Sequence, residues 1–141
     1  MSINIAGSWK LVAWRRLTDG EAAEYPLGED ASGLLIYTGD GKMAVQIVSA
    51  DRPEIPTEDA LGGDAQLRAD AYSTCLAYFG SYRVQGDSVI HRVDASLFPN
   101  WSGTVQTRPF TANGDELVLR TPPTTSAAGT VVNELSWVRE S

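Results

Sequence analysis

Cysteine and histidine each occur once, as Cys75 and His91. A single cysteine permits no internal disulfide, so the core must close by packing alone. One histidine and one cysteine, without clustered carboxylates, leave too few donors for a zinc or iron site, and no metal is expected. Basic residues are few: 11 against 18 acidic ones, a net charge of −7. They are also scattered, with Arg15-Arg16 the sole adjacent pair, so no basic patch marks a nucleic-acid surface. No apolar run approaches the roughly 20 residues of a membrane-spanning helix, and no membrane partner is expected. Met1-Ser2-Ile3-Asn4-Ile5 has no basic segment followed by an apolar core; the expectation is no signal peptide and a cytoplasmic location. Gly-x-Gly-x-x-Gly and Walker loops are missing, so no nucleotide or other cofactor is expected. A nucleophile elbow is missing too.

What the chain does contain is a succession of short strand patterns. Its 141 residues suit one domain over 1–141. From Ser8 to Leu17, Trp9, Leu11 and Ala13 fall on one parity and Val12 and Trp14 on the other. Extended chain sends these to opposite faces, one over a barrel floor and the other toward something outside. Thr18-Asp19-Gly20 is a turn signal, and the acidic stretch Glu21–Asp30, with Pro26 and Gly28, reads as a loop. Gly33–Thr38 and Lys42–Val48, joined by Gly39-Asp40-Gly41, form a hairpin with Met43, Val45 and Ile47 on one face. Pro53 and Pro56 stop ladder pairing.

Thr57, Glu58 and Asp59 read as a helix start, interrupted by Gly62-Gly63. The main helix is expected over about Asp64–Ala77, with Ala65, Ala69, Tyr72 and Leu76 as its apolar stripe and Cys75 as a small packed residue. Strands follow at Tyr78–Gln85 and Ser88–Ala95, then a loop at Phe98-Pro99-Asn100-Trp101. Strands at Gly103–Phe110 and Asp115–Thr121 flank the turn Asn113-Gly114. The Pro/Thr/Ser-rich stretch Thr121–Gly129 reads as a loop, and Thr130–Arg139 as the last strand.

The sum is all-β: an eight-stranded antiparallel up-and-down barrel, its two terminal strands paired, with one helix between strands 3 and 4. Eight strands enclose a cavity fit for one small ligand, and closure removes exposed sheet edges. A two-sheet sandwich is the rival, disfavoured by the sequential short turns.

The ordered segments Gly7-Ser8-Trp9-Lys10-Leu11-Val12, Pro26-Leu27-Gly28, Gly33-Leu34-Leu35-Ile36-Tyr37-Thr38 and Asp40-Gly41-Lys42-Met43 carry a family signature. So do Tyr78-Phe79-Gly80-Ser81-Tyr82, His91-Arg92-Val93, Pro99-Asn100-Trp101-Ser102-Gly103-Thr104, Gln106-Thr107-Arg108, Leu117-Val118-Leu119 and Trp137-Val138-Arg139. Together they resemble the bacterial and fungal lipocalin-like domain proteins of the calycin superfamily, over nearly the whole chain. The resemblance implies an eight-stranded barrel with an internal pocket. It also implies that Arg139, on the last strand, packs across Trp9 at the closed end in a structural role. Some relatives sit in natural-product or catabolic gene neighbourhoods, and a few such barrels are isomerases or cyclases. Lacking a disulfide and a signal peptide, this chain departs from the secreted lipocalins.

Candidate site residues follow from parity. His91 shares its face with Val89 and Val93, and Tyr82 on the preceding strand shares its face with Val84; a lumen histidine with a neighbouring phenol suits acid–base chemistry. Arg108 shares a face with Thr104, Gln106 and Phe110; if that face points inward it supplies a cation for a carboxylate, enolate or phenolate oxygen, and if it points outward Arg108 is a solvated surface arginine. Tyr37, Tyr78, Tyr82, Phe98 and Trp101 supply aromatic surface for a ligand. Two functions use these same residues. One is binding of a small hydrophobic or aromatic molecule, anionic if Arg108 faces it. The other is a cofactor-free isomerase, cyclase or dehydratase using His91, Tyr82 and Arg108. A homodimer is a third expectation, with Trp14 and the helix as its face.

Overall fold

A computed structural model describes residues 4–140; residues 1–3, part of the stretch read for a targeting signal, and residue 141 lie outside it. The elements are β1 (Gly7–Thr18), β2 (Glu21–Glu24), β3 (Ser32–Tyr37), β4 (Lys42–Val48), α1 (Ala65–Tyr72), β5 (Cys75–Gln85), β6 (Ser88–Ser96), a 3-10 turn (Pro99–Trp101), β7 (Val105–Asn113), β8 (Glu116–Arg120), β9 (Thr124–Ser126) and β10 (Gly129–Arg139). Strands β1, β3 to β8 and β10 pair in sequence, and β1 also pairs with β10, which closes an antiparallel barrel of eight strands. The helix falls between the third and fourth barrel strands, as expected.

The seam between the chain ends is the longest pairing, running from Trp9↔Arg139 through Leu11↔Trp137 and Trp14↔Leu135 to Thr18↔Val131. Outside it, Glu134 pairs with both Arg15 and Arg120, tying β1, β10 and β8 together. Inside, the alternation predicted for β4 holds: Met43, Val45 and Ile47 are buried while Lys42, Ala44 and Gln46 are exposed. Ile5, Trp9, Leu11, Leu35, Tyr37, Tyr78, Val89, Val93, Phe110, Leu117, Leu119 and Trp137 complete the core.

Four expectations are corrected. The register of β1 against β10 shifts between Leu11 and Ala13. This bulge inserts one residue, so parity flips, Val12 is pushed out to solvent and Trp14 turns back in. Trp9 and Trp14 therefore both serve the interior; the Trp14 indole donates to Asn133 Oδ1 at 2.9 Å and is no outward face for a partner. The helix is shorter than its composition suggests, because β4 claims its C-terminal end: Gln46↔Ala77, Ile47↔Leu76 and Val48↔Cys75 are ladder pairs, so Cys75, Leu76 and Ala77 belong to β5. What remains is capped by Asp64, whose carboxylate accepts from the N–H of Gln66 and Leu67, and no residue of α1 is buried. Thr57–Asp59 starts no helix; Asp59 Oδ1 instead accepts from Leu61 N in a local turn. Finally, the loops read at Glu21–Asp30 and Thr121–Gly129 contain β2 and β9, short strands that extend β1 and β10 beyond the barrel wall.

Trp9 is fully buried and donates through Nε1 to Ile5 O at 2.9 Å. The Arg139 guanidinium lies 4.3 Å from the Trp9 ring centroid and donates to Ala6 O at 2.6 Å and Asn4 O at 3.1 Å. A guanidinium over an indole contributes about 0.5–2 kcal/mol, and the carbonyls it serves lose their donor without it. Arg139→Ala is expected to cost about 2 kcal/mol, lowering Tm by roughly 5–8 °C with ligand affinity unchanged. Differential scanning fluorimetry beside calorimetric titration reads both quantities.

Candidate functional site

Two long strands and one short turn build the site. Along β5, residues of one parity point inward, placing Tyr78, Gly80 and Tyr82 on the lumen face. Their register with β6 sets Tyr82 opposite His91, and the register of β6 with β7 sets Val89 opposite Arg108 and His91 opposite Gln106. Tyr37 enters from the end of β3. Trp101 comes from the 3-10 turn, which Pro99 starts.

His91 is 1% exposed. Its two ring nitrogens meet two phenols: Tyr37 Oη lies 2.6 Å from Nε2 and Tyr78 Oη 2.7 Å from Nδ1. Tyr82, expected as the hydroxyl partner of His91, donates elsewhere, to Thr38 O at 2.7 Å, and its ring packs 4.5 Å from that of Tyr37. The partners of His91 are thus the two other tyrosines. One of them, Tyr37, stands 54 positions away in the chain, a separation that parity along a single strand does not reveal.

Arg108 is 8% exposed. Its guanidinium contacts Thr107 O at 3.2 Å and Gln106 Oε1 at 3.4 Å, and its central carbon sits 5.9 Å from the Trp101 ring centroid. Among the described residues no carboxylate pairs with it. Trp101 meets Tyr78 edge-on at 5.7 Å and Phe98 at 5.6 Å. Phe98, 37% exposed, therefore backs Trp101 from the outside and is not brought to the lumen cluster. The cluster is Tyr37, Tyr78, Tyr82, His91, Trp101 and Arg108. Gln106, which accepts from Arg108 and donates to Thr104 Oγ1 at 2.9 Å, was not singled out in the sequence, although it shares the parity of Arg108.

These surroundings set the charge states. Burial, and secondarily the Arg108 charge, pushes the His91 pKa down to about 3, so the imidazole is neutral at neutral pH. Burial raises the Tyr37 hydroxyl well above its usual value, with the neighbouring Tyr78 adding to the rise. Tyr78 is also raised by burial, against the lowering effect of Arg108, which acts on it both as a charge and as a donor. Tyr82 is raised by burial first and then by Asp40. Among the described residues no group of His, Cys, Asp and Glu is placed to hold a metal.

A depressed histidine pKa makes stability depend on pH with a definite sign. Between about 3 and the ordinary value near 6.5, the unfolded chain binds a proton that the folded one refuses. Stability is then complete above about pH 6.5 and falls on acidification, by up to ~1.4 kcal/mol per pH unit. Because His91 is the sole histidine, urea midpoints at pH 7.0, 6.0 and 5.0 should read this titration before the carboxylates enter. The His91→Phe variant should show a flat profile over the same range.

An open groove of about 880 Å³ crosses the outside of β3, β4 and β5, with Leu34, Ala44, Gln46 and Phe79 from their outward faces in its lining, and Tyr78 borders it too. Neither His91 nor Arg108 lines it.

The 4'-hydroxy-3'-methoxypropiophenone carrier protein of Aspergillus oryzae is 33% identical over 87 residues, covering 56% of this chain and 78% of that protein. A crystal structure of a mutant of the fluorescent protein UnaG aligns over 96% of both chains, with a TM-score of 0.39 and 15% identity. The lipocalin-like domain model matches residues 6–139, nearly the whole barrel, and the chain belongs to that family.

Proposed function

We propose that the barrel binds a small aromatic molecule in its lumen, through an oxygen that Arg108 and the adjoining phenols recognise. The observation that carries this reading is Arg108 itself. A guanidinium buried among aromatic side chains without a counter-charge is costly to fold, and an anionic or strongly polar oxygen on a ligand offsets that cost. Trp101, Tyr78 and Tyr82 supply faces and edges for an aromatic body, with few polar groups to fix its orientation. The Aspergillus oryzae relative, named as a carrier of an aromatic ketone, supports the same chemistry.

Binding without turnover fits the electrostatics better than catalysis. A general base works best with its pKa near the operating pH, whereas His91 lies near 3 and both its nitrogens are engaged. The test is calorimetric titration with 4'-hydroxy-3'-methoxypropiophenone and benzoate, followed by product analysis. The expected result is a Kd in roughly the micromolar range for ligands of this size, with no product formed. Phe79→Asp, in the outer groove, should leave affinity unchanged, while Trp101→Ala should weaken it. The reverse pattern moves the site to the outer groove, and product formation abolished by His91→Ala establishes the enzyme instead.

A further inference from the structure

The protons of the His91 cluster do not balance. Neutral imidazole carries one N–H, and Tyr37 and Tyr78 carry one O–H each. These three protons share only two contacts, Tyr37 Oη with Nε2 and Tyr78 Oη with Nδ1. Each contact uses one proton, so one hydroxyl proton is left over in either tautomer. With the proton on Nε2, that nitrogen donates to Tyr37, Tyr78 donates to Nδ1, and the spare proton is on Tyr37. With the proton on Nδ1, Tyr37 donates to Nε2, Nδ1 donates to Tyr78, and the spare proton is on Tyr78. Among the described residues neither hydroxyl has a further acceptor.

The surroundings of the two tyrosines decide between these states. Tyr37 is 1% exposed and its ring is covered by Tyr82, so a spare proton there has nothing to meet and pays full desolvation. Tyr78 is 7% exposed and stands at the side of the cluster that holds Trp101 and Arg108, so a spare proton there stays within reach of an acceptor entering from outside. We infer that His91 rests as the Nδ1–H tautomer, leaving the Tyr78 hydroxyl and the Arg108 guanidinium as a paired donor for a bare oxygen on the ligand. That oxygen is a carbonyl, carboxylate or phenolate oxygen, which accepts without donating. His91 is a positioning residue: it aims the Tyr78 proton and does not touch the ligand. Tyr78 is then the specificity-determining contact, and Tyr37 only fixes the tautomer.

This inference rests on the lumen as the binding site, and two readouts separate the claims. Long-range proton–nitrogen NMR on the ligand-free protein should show Nδ1 protonated and Nε2 bare; Nε2–H, or an imidazolium at pH 7, overturns the assignment whether or not any probe binds. With benzoate as the probe, Tyr78→Phe should weaken binding by roughly tenfold, while Tyr37→Phe, which removes no ligand contact, should lose less. Equal affinities for wild type and Tyr78→Phe, or a larger loss in Tyr37→Phe, overturn it as well. If wild type binds neither benzoate nor the aryl ketone, the proposed function fails, and the tautomer still decides the proton assignment. Near-ultraviolet circular dichroism of both variants checks that they are folded.

Discussion

Gly80→Ala is expected to remove a large share of the stability of the barrel through a single methyl group. A Cβ at this position would lie 1.9 Å from Arg92 O and 2.9 Å from both Arg92 C and Asp94 N. All three are main-chain atoms of β6, which cannot swing aside as a flexible side chain does. The close approach belongs to the register shift at Phe79 and Gly80, where β6 carries the extra residue Asp94. Relief requires parting the two strands beside His91 and breaking ladder bonds on either side. The expected loss is about 4 kcal/mol, roughly 10–15 °C in Tm, a large share of the stability of a domain this size. Tyr78 and Tyr82 flank Gly80 on the same face, so any folded remainder should also bind poorly. Gly86→Ala is the control: its φ of 61° is strained for alanine, but the space around it is open, and the cost should stay near 1 kcal/mol. If Gly80→Ala melts within 3 °C of wild type, β5 and β6 do not approach as described.

The strands and their closure were legible because each carries its own period. Alternation in Lys42–Val48 and the Asn113-Gly114 turn are local signals, and the aromatic ends at Trp9 and Trp137 mark the seam. Parity failed where the ladder slips. One inserted residue at Val12 reverses the face of everything after it, and nothing in the run Leu11-Val12-Ala13-Trp14 announces the insertion. Composition failed at Cys75 and Leu76, where alanine-rich helix propensity lost to pairing with Val48 and Ile47. The site was half legible for the same reason. Parity along β6 put His91 on the inward face, as found, whereas parity along β7 left inward and outward open for Arg108, which is buried. It could not say that Tyr37 would reach across to His91, because that contact depends on how far the closed barrel shears.

Arg108→Met should have two effects of opposite sign. Without ligand, the guanidinium is buried with two weak acceptors, one of them its neighbour's carbonyl, and no carboxylate among the described residues. Replacing an uncompensated buried charge with an apolar chain of similar length removes its desolvation cost, against a cation–π loss of about 0.5–2 kcal/mol at Trp101. The net expectation is a gain of about 1–3 kcal/mol, or roughly 3–11 °C in Tm. Affinity for benzoate should fall by roughly 10- to 100-fold, the range for a hydrogen bond to a charged group. A third readout ties these together. The Arg108 charge helps to hold the His91 pKa down, so its removal should let that pKa rise, and the total stability lost on acidification below both pKa values should become smaller. Burial, the larger cause, keeps the loss from vanishing. Arg139→Ala predicts the opposite pairing, stability lost and affinity kept. If Arg108→Met destabilises the ligand-free barrel and leaves benzoate binding intact, Arg108 is part of the wall and the lumen has no cationic contact for a ligand.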